Sequence, residues 1–238
     1  MEFWEGGPND GFFCENNYPC VPWISWDYFT DERTLQGLEF MFSAFGERYA
    51  NEPTIFAWDL QNEPSIRWSS AIMTPMWKDW VQKKYQNEDA LKGAWSDYPL
   101  TGENWNNIMP PDSKNNLSNQ RLYDYQTFRE DIAYIWVKRL ADAIRSKDIN
   151  HFVTVGNIQW IAPISPFGRL LGPESAGVYP AFNPKKLAPV LDYSSIHAYG
   201  WWDSNTPKYA KAALRYSYAG KPVVLEEFKY SGATVDGP

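Results

Sequence analysis

Apolar residues recur along this chain with two different periods, and the alternation between the two predicts its elements. From Thr30 or Asp31, either of which can cap a helix, Leu35, Leu38, Phe42, Phe45 and Tyr49 follow at steps of three and four, the spacing of one helical face. The pattern stops at Asn51-Glu52-Pro53. Ile55 to Leu60 is then a short apolar run broken only by Asp59, as expected of a strand buried on both faces of a parallel sheet. Leu122 to Arg145 returns to the helical period, with Phe128, Ile132, Ile135, Trp136 and Leu140 on one face. Further strands are predicted over Phe152 to Val155, Tyr193 to His197 and Val223 to Leu225, with a crossover helix over residues 207–218. Strands that alternate with helices argue for βα units around a parallel sheet. Two stretches stand outside this rhythm. Residues 1–30 are rich in Gly, Pro, Asn and aromatics and read as a long functional loop. Residues 65–120 form a polar, Trp-containing insertion with short helices predicted over 77–85 and 88–95.

A length of 238 residues without a Ser/Gly linker or charge block suits one domain, 1–238, with a sizeable core. The net charge of -7 argues against nucleic acid and anionic membranes as partners, since both favour basic surfaces. No apolar run reaches the length of a membrane span, and the first residues lack the pattern of a secretory leader, so the compartment is not encoded here. The chain carries 13 Trp, 15 Tyr and 13 Phe, more aromatic surface than a core of this size needs. Flat rings suit sugar faces, although any single Trp packs into a core just as readily. Cys14 and Cys20 enclose so short a loop that a disulfide and two free thiols are equally open readings. The only histidines, His151 and His197, have no zinc-ligand spacing to this pair, so neither a metal nor a cofactor is expected.

The chemistry concentrates where strands end. Asn62-Glu63-Pro64, Ile196-His197-Ala198-Tyr199 and Leu225-Glu226-Glu227-Phe228 each follow a predicted strand, in this order. Hydrolysis of a glycosidic bond needs two facing carboxyls, one to protonate the leaving oxygen and one to attack or stabilise the sugar carbon. Glu63 and Glu227 are the candidates. Glu226 is set aside by parity, because successive strand side chains point to opposite sides. Glu52, in a second Asn-Glu-Pro tripeptide, ends a helix and would lie at the far end of the strands.

Together the three motifs resemble the retaining glycoside hydrolases of clan A, most closely family 5 of cellulases and mannanases, over roughly Trp26 to Tyr230. The resemblance implies a (β/α)8 TIM barrel with Glu63 as acid/base and Glu227 as nucleophile. It also implies Tyr199 as a hydrogen-bond donor to Glu227, His197 as a polar contact near the reacting sugar, and Asn62 on the sugar 2-hydroxyl. Trp201 and Trp202 follow at once, where a ring could stack on a sugar or simply pack. The substrate implied is a β-linked oligo- or polysaccharide. Within the insertion, Trp80 to Tyr85 with Glu88 to Trp95 looks like a segment of some clan A β-galactosidases, which makes an exo-acting β-galactosidase the main alternative. A carbohydrate-binding remnant without activity is the other. A βα unit takes about 30 residues, so the stretch before Ile55 is too short for three of them. The residues implied by strands two, three and eight are not found, and an incomplete barrel, with strands three or four to seven, is the expectation.

Overall fold

The computed structural model describes residues 28–66, 72–111, 118–157, 181–200 and 206–230. Helix α1, Glu32–Tyr49, starts at Asp31, whose carboxylate accepts the Thr34 N–H at 2.9 Å; such a cap is worth about 1 kcal/mol. Strand β1, Ala57–Asn62, leads into α2, Met73–Tyr85, and α3, Glu88–Ala94. Helix α4, Asn119–Arg145, is capped by Ser118 and feeds β2, Phe152–Gly156. A short α5, Pro184–Leu187, precedes β3, Ser194–Gly200, and α6, Thr206–Ser217, connects to β4, Val223–Tyr230. No helix among the described residues is long and apolar enough to cross a membrane.

The strands run parallel in chain order. β1 pairs with β2, and β3 with β4. The Asp192 N–H donates to Val153 O and the His197 N–H to Asn157 O, both at 2.9 Å. Both partners advance together along the chain, so β3 runs beside β2 in the same direction. Helix α4 packs along α1 and reaches β1. Arg145, at its end, donates to Val190 O at 2.7 Å and to Asp192 Oδ2 at 2.8 Å, and the same oxygen accepts the Val153 N–H.

The observed faces correct several expectations. In α1, Leu35, Leu38 and Phe42 are buried, but Phe45 and Tyr49 are not; Gly46 takes the inner position instead. A Cβ there would lie 3.0 Å from Ile144 O, so the absence of a side chain is what lets α1 close on the end of α4. Phe45 and Tyr49 turn outward against Trp58. In α4 the buried face is rotated toward Ala133, Val137 and Ala141, which leaves Ile135 exposed. β1 starts two residues later than expected and is buried only at Leu60.

The 72–111 segment is no polar excursion. Trp77 and Trp95 are fully buried and stacked, and they belong to the same core as Leu140 and Val153. Beneath them Asp124, fully buried, accepts from Trp95 Nε1 at 2.9 Å, Lys84 Nζ at 2.6 Å and the Tyr85 hydroxyl. Arg121, also fully buried, lies over the Trp95 ring and forks onto both Glu103 oxygens at 3.0 and 2.8 Å. A buried charge left without its partner is costly. Arg121→Ala is therefore expected to lower stability by about 3–5 kcal/mol, read from urea unfolding; a loss below about 1 kcal/mol would mean that the fork contributes little.

At the opening ends of the strands, His151 Nδ1 lies 2.6 Å from Asp148 Oδ2, which also accepts Trp58 Nε1–H at 2.8 Å. His151 Nε2 is 3.0 Å from Glu52 O. Glu52 and His151 thus sit at the end opposite the glutamates. The bond to Asp148 raises the His151 imidazole above its ordinary 6.5, against the opposing effect of desolvation. A raised folded value means stabilisation that is complete below 6.5 and is lost as pH rises through the folded value. Melting curves across that window should fall for the native chain and be flatter for His151→Gln; parallel curves would remove this role.

Candidate active site

The closing ends of the strands bring the glutamates together, and two register slips do the work. Between Asp59 and Asn62, β1 gains one residue on β2. The Asp59 carboxylate there accepts the Gly156 N–H at 2.7 Å, and the Glu63 N–H donates to Gly156 O at 2.8 Å. Glu63 adopts φ 46°, a left-handed conformation that costs a non-glycine residue about 1–3 kcal/mol. The residue before a proline is already steered away from the right-handed helical region, and buried Pro64 follows. Arg129 of α4, itself buried, holds the next turn by donating to Ile66 O.

The second slip lies between β3 and β4. Ile196 faces Leu225, but His197 faces Glu227, so Glu226 is the extra residue of a bulge. This overturns the parity argument against Glu226. A bulge breaks the strict alternation of side chains, and Glu226 turns in: it accepts the Ser195 hydroxyl, and its Oε2 lies 3.9 Å from His197 Nε2. Both motifs also lie within their strands instead of following them, since β3 and β4 run on to Gly200 and Tyr230.

His197 is the centre of the cluster, 1% exposed. Its Nδ1 is 2.8 Å from Glu63 Oε1 and 3.5 Å from Glu227 Oε2, and all three groups offer atoms within 4.8 Å of one another. Glu63 and Glu227 thus approach each other closely, with one imidazole between them. The three donors also stand close enough for one cation to reach them all, with His197 Nδ1 and Glu63 Oε1 at hydrogen-bond distance. Burial disfavours a charge on His197. The hydrogen bond with Glu63 and the charges of Glu227, Glu63 and Glu226 outweigh it, and the imidazole is raised above its ordinary 6.5. Asp59 is open to solvent along one side, yet its carboxyl lies deep among protein atoms. That desolvation, with the Glu226 charge, pushes it up to about 7, against the bonds from Gly156 and Gln61.

Of the residues expected from sequence, Glu63, His197 and Glu227 meet, and Asn62 lies exposed beside Glu63 at the end of β1. Tyr199 sits on β3 opposite Lys229, but its side chain lies outside the described residues. Trp201, Trp202, Cys14 and Cys20 lie outside them as well. Sequence reasoning missed Asp59, Gly156 and Glu226 as part of the cluster. Asp59 carried a signal, as the one charge inside an apolar strand. Glu226 carried none, because a bulge has no signature in these residues.

The model of glycoside hydrolase family 42, described as beta-galactosidase, matches residues 30–228. Beta-galactosidase BglY of Alicyclobacillus acidocaldarius is 24% identical over 191 residues, 76% of this chain and 25% of that protein. Mannan endo-1,4-beta-mannosidase A of Podospora anserina is 25% identical over 210 residues, 85% of this chain and 39% of that protein. The chain thus spans well under half the length of these relatives. The crystal structure of the cold-adapted beta-galactosidase from Rahnella sp. R3 superposes with a TM-score of 0.65 over 84% of this chain and 29% of that one, at 20% identity. At that identity the likeness carries the fold alone, that of a (β/α)8 barrel. The motifs pointed to the right clan but to family 5 within it; with the match covering most of the sequence, the chain belongs to glycoside hydrolase family 42, the beta-galactosidase family.

Proposed function

We propose that this chain hydrolyses a β-linked galactoside with retention of configuration, Glu227 acting as nucleophile and Glu63 as acid/base. The observation that carries the reading is the approach of one oxygen from each carboxyl to within 4.8 Å across His197. Ionised Glu227 attacks the anomeric carbon as the glycosidic C–O bond breaks, and the Glu63 proton passes to the departing oxygen. The glycosyl ester at Glu227 is then released by a water that Glu63 deprotonates, and the carboxylate is regenerated. Asn62, exposed beside Glu63 at the end of β1, is proposed to meet the sugar 2-hydroxyl. Tyr199 and Trp201, which follow His197 along the chain, are proposed as further sugar contacts. Residues 72–111 share their core with the rest, which supports reading 1–238 as one catalytic domain.

The galactoside is favoured by the family and by BglY. Hydrolysis of a mannan-type glycan is the second reading, supported by the similarity to the Podospora mannosidase. Nitrophenyl β-galactoside and β-mannoside separate the two substrates.

Glu63→Gln should reduce turnover of a galactoside with a poor leaving group by about 10²–10⁴-fold, the usual share of general acid catalysis. Release of a nitrophenol in the first step should lose much less, since it departs without a proton, while steady turnover stays slow because the glycosyl ester lacks its base. Glu227→Gln should abolish both reactions, because no ester can form. A folded Glu227→Gln protein with undiminished turnover would remove the assignment, and native protein that binds galactoside without cleaving it would make this a binding remnant.

A further inference from the structure

Behind the catalytic pair lies a second pair of carboxyls. Glu63 and Glu227 face His197 Nδ1, whereas Asp59 and Glu226 approach from the Nε2 side. A Cβ on Gly156 would lie 2.7 Å from Asp59 Oδ2 and 3.2 Å from His197 Nε2, so the two side chains close on one point that only a glycine leaves open. Nε2 is buried and has no hydrogen-bond partner among the described residues, only the Glu226 charge 3.9 Å away. This second pair is itself anchored, Asp59 by the Gly156 N–H at 2.7 Å and Glu226 by the Ser195 hydroxyl.

Resting on the hydrolase reading above, we propose that Asp59 and Glu226 are positioning residues that act through His197. They keep its imidazole a donor at both nitrogens, so that Nδ1 holds Glu63 Oε1 and leaves the other Glu63 oxygen to the glycosidic bond. Which ring nitrogen carries hydrogen is set by what faces the other one. Were Nε2 to face apolar surroundings, burial would strip the imidazole of its charge, and Nδ1 could turn from donor to acceptor. Burial lowers the proton affinity of the ring, and the Glu63 hydrogen bond with the carboxylate charges of Glu227, Glu63 and Glu226 outweighs it. The charges felt by the imidazole are those of Glu63, Glu227 and Glu226, and Asp59 from β1 feels the imidazole in turn; the Tyr193 phenol feels Glu226 and Asp59 and is pushed up to about 12, chiefly by burial. Gly156 joins the two layers, since its N–H holds Asp59 while its carbonyl holds the Glu63 backbone.

The sequence makes the test direct, because only two histidines are present. Imidazole NMR of the intact protein should give two titrating rings, and loss of one signal set in His151→Gln assigns the other to His197. In Asp59→Asn and in Glu226→Gln the His197 midpoint should fall, by on the order of one pH unit. Turnover of β-galactoside should drop about tenfold in each with KM within about twofold, and the alkaline limb of the pH profile should move down. Glu226→Asp should recover part of the loss. Melting curves establish that each variant is folded, and Asp59→Asn decides the matter should Glu226→Gln fail to fold. An unmoved His197 midpoint in a folded variant overturns the proposal. The titration needs no substrate and judges the contact by itself. Undiminished turnover in Glu63→Gln and Glu227→Gln would instead overturn the hydrolase reading, and the positioning role with it.

Discussion

Four carboxyls gathered round one buried imidazole are the constraint on which this structure turns. Like charges at such distances repel, and the repulsion grows as water is withdrawn. Asp59, Glu63, Glu226 and Glu227 can converge because the His197 imidazole stands between them, its proton affinity raised by Glu63, Glu227 and Glu226, and because backbone N–H and hydroxyl donors take up some of the carboxylate oxygens. The arrangement is not self-supporting. It is imposed by parallel strands whose register is fixed behind them, where α4 packs Phe128, Ile132, Trp136 and Leu140 into the core and ties the start of β2 and β3 through Arg145 and Asp192. Each such fully buried side chain contributes about 1.5–3 kcal/mol, enough in sum to hold a group of charges that would otherwise separate.

Within that frame the aim of each carboxyl depends on local departures from regular structure. Ideal strands would send Glu226 and Glu227 to opposite faces; one extra residue opposite β3 lets both reach His197. Ideal geometry at the end of β1 would carry Glu63 onward with the chain, whereas its left-handed backbone turns it back over Gly156. Irregular backbone of this kind persists only where its surroundings determine it, and here Pro64 and the Arg129 contact to Ile66 do so. The buried polar network of Arg121, Glu103 and Asp124 is a separate matter. It fixes how the 72–111 segment docks and takes no part in the cluster round His197.

Much was legible in the sequence because it rests on local chemistry. The helical and strand periods of α1, α4 and β2 follow from which side chains can be buried together, and capping residues such as Asp31 mark where a helix can begin. That Glu63, His197 and Glu227 would meet was legible too, from the motifs that carry them along three parallel strands. Tertiary structure decided the rest. That Gly46, not Phe45, faces inward depends on how closely α1 approaches α4. That Trp77 and Trp95 form core depends on what lies across from them. That Asp59 and Glu226 join Glu63 and Glu227 round His197 depends on two one-residue register slips between strands distant in sequence. Periodicity encodes which face of an element is apolar; it does not encode the offset between two elements, because that offset is set only when their side chains and backbone hydrogen bonds meet.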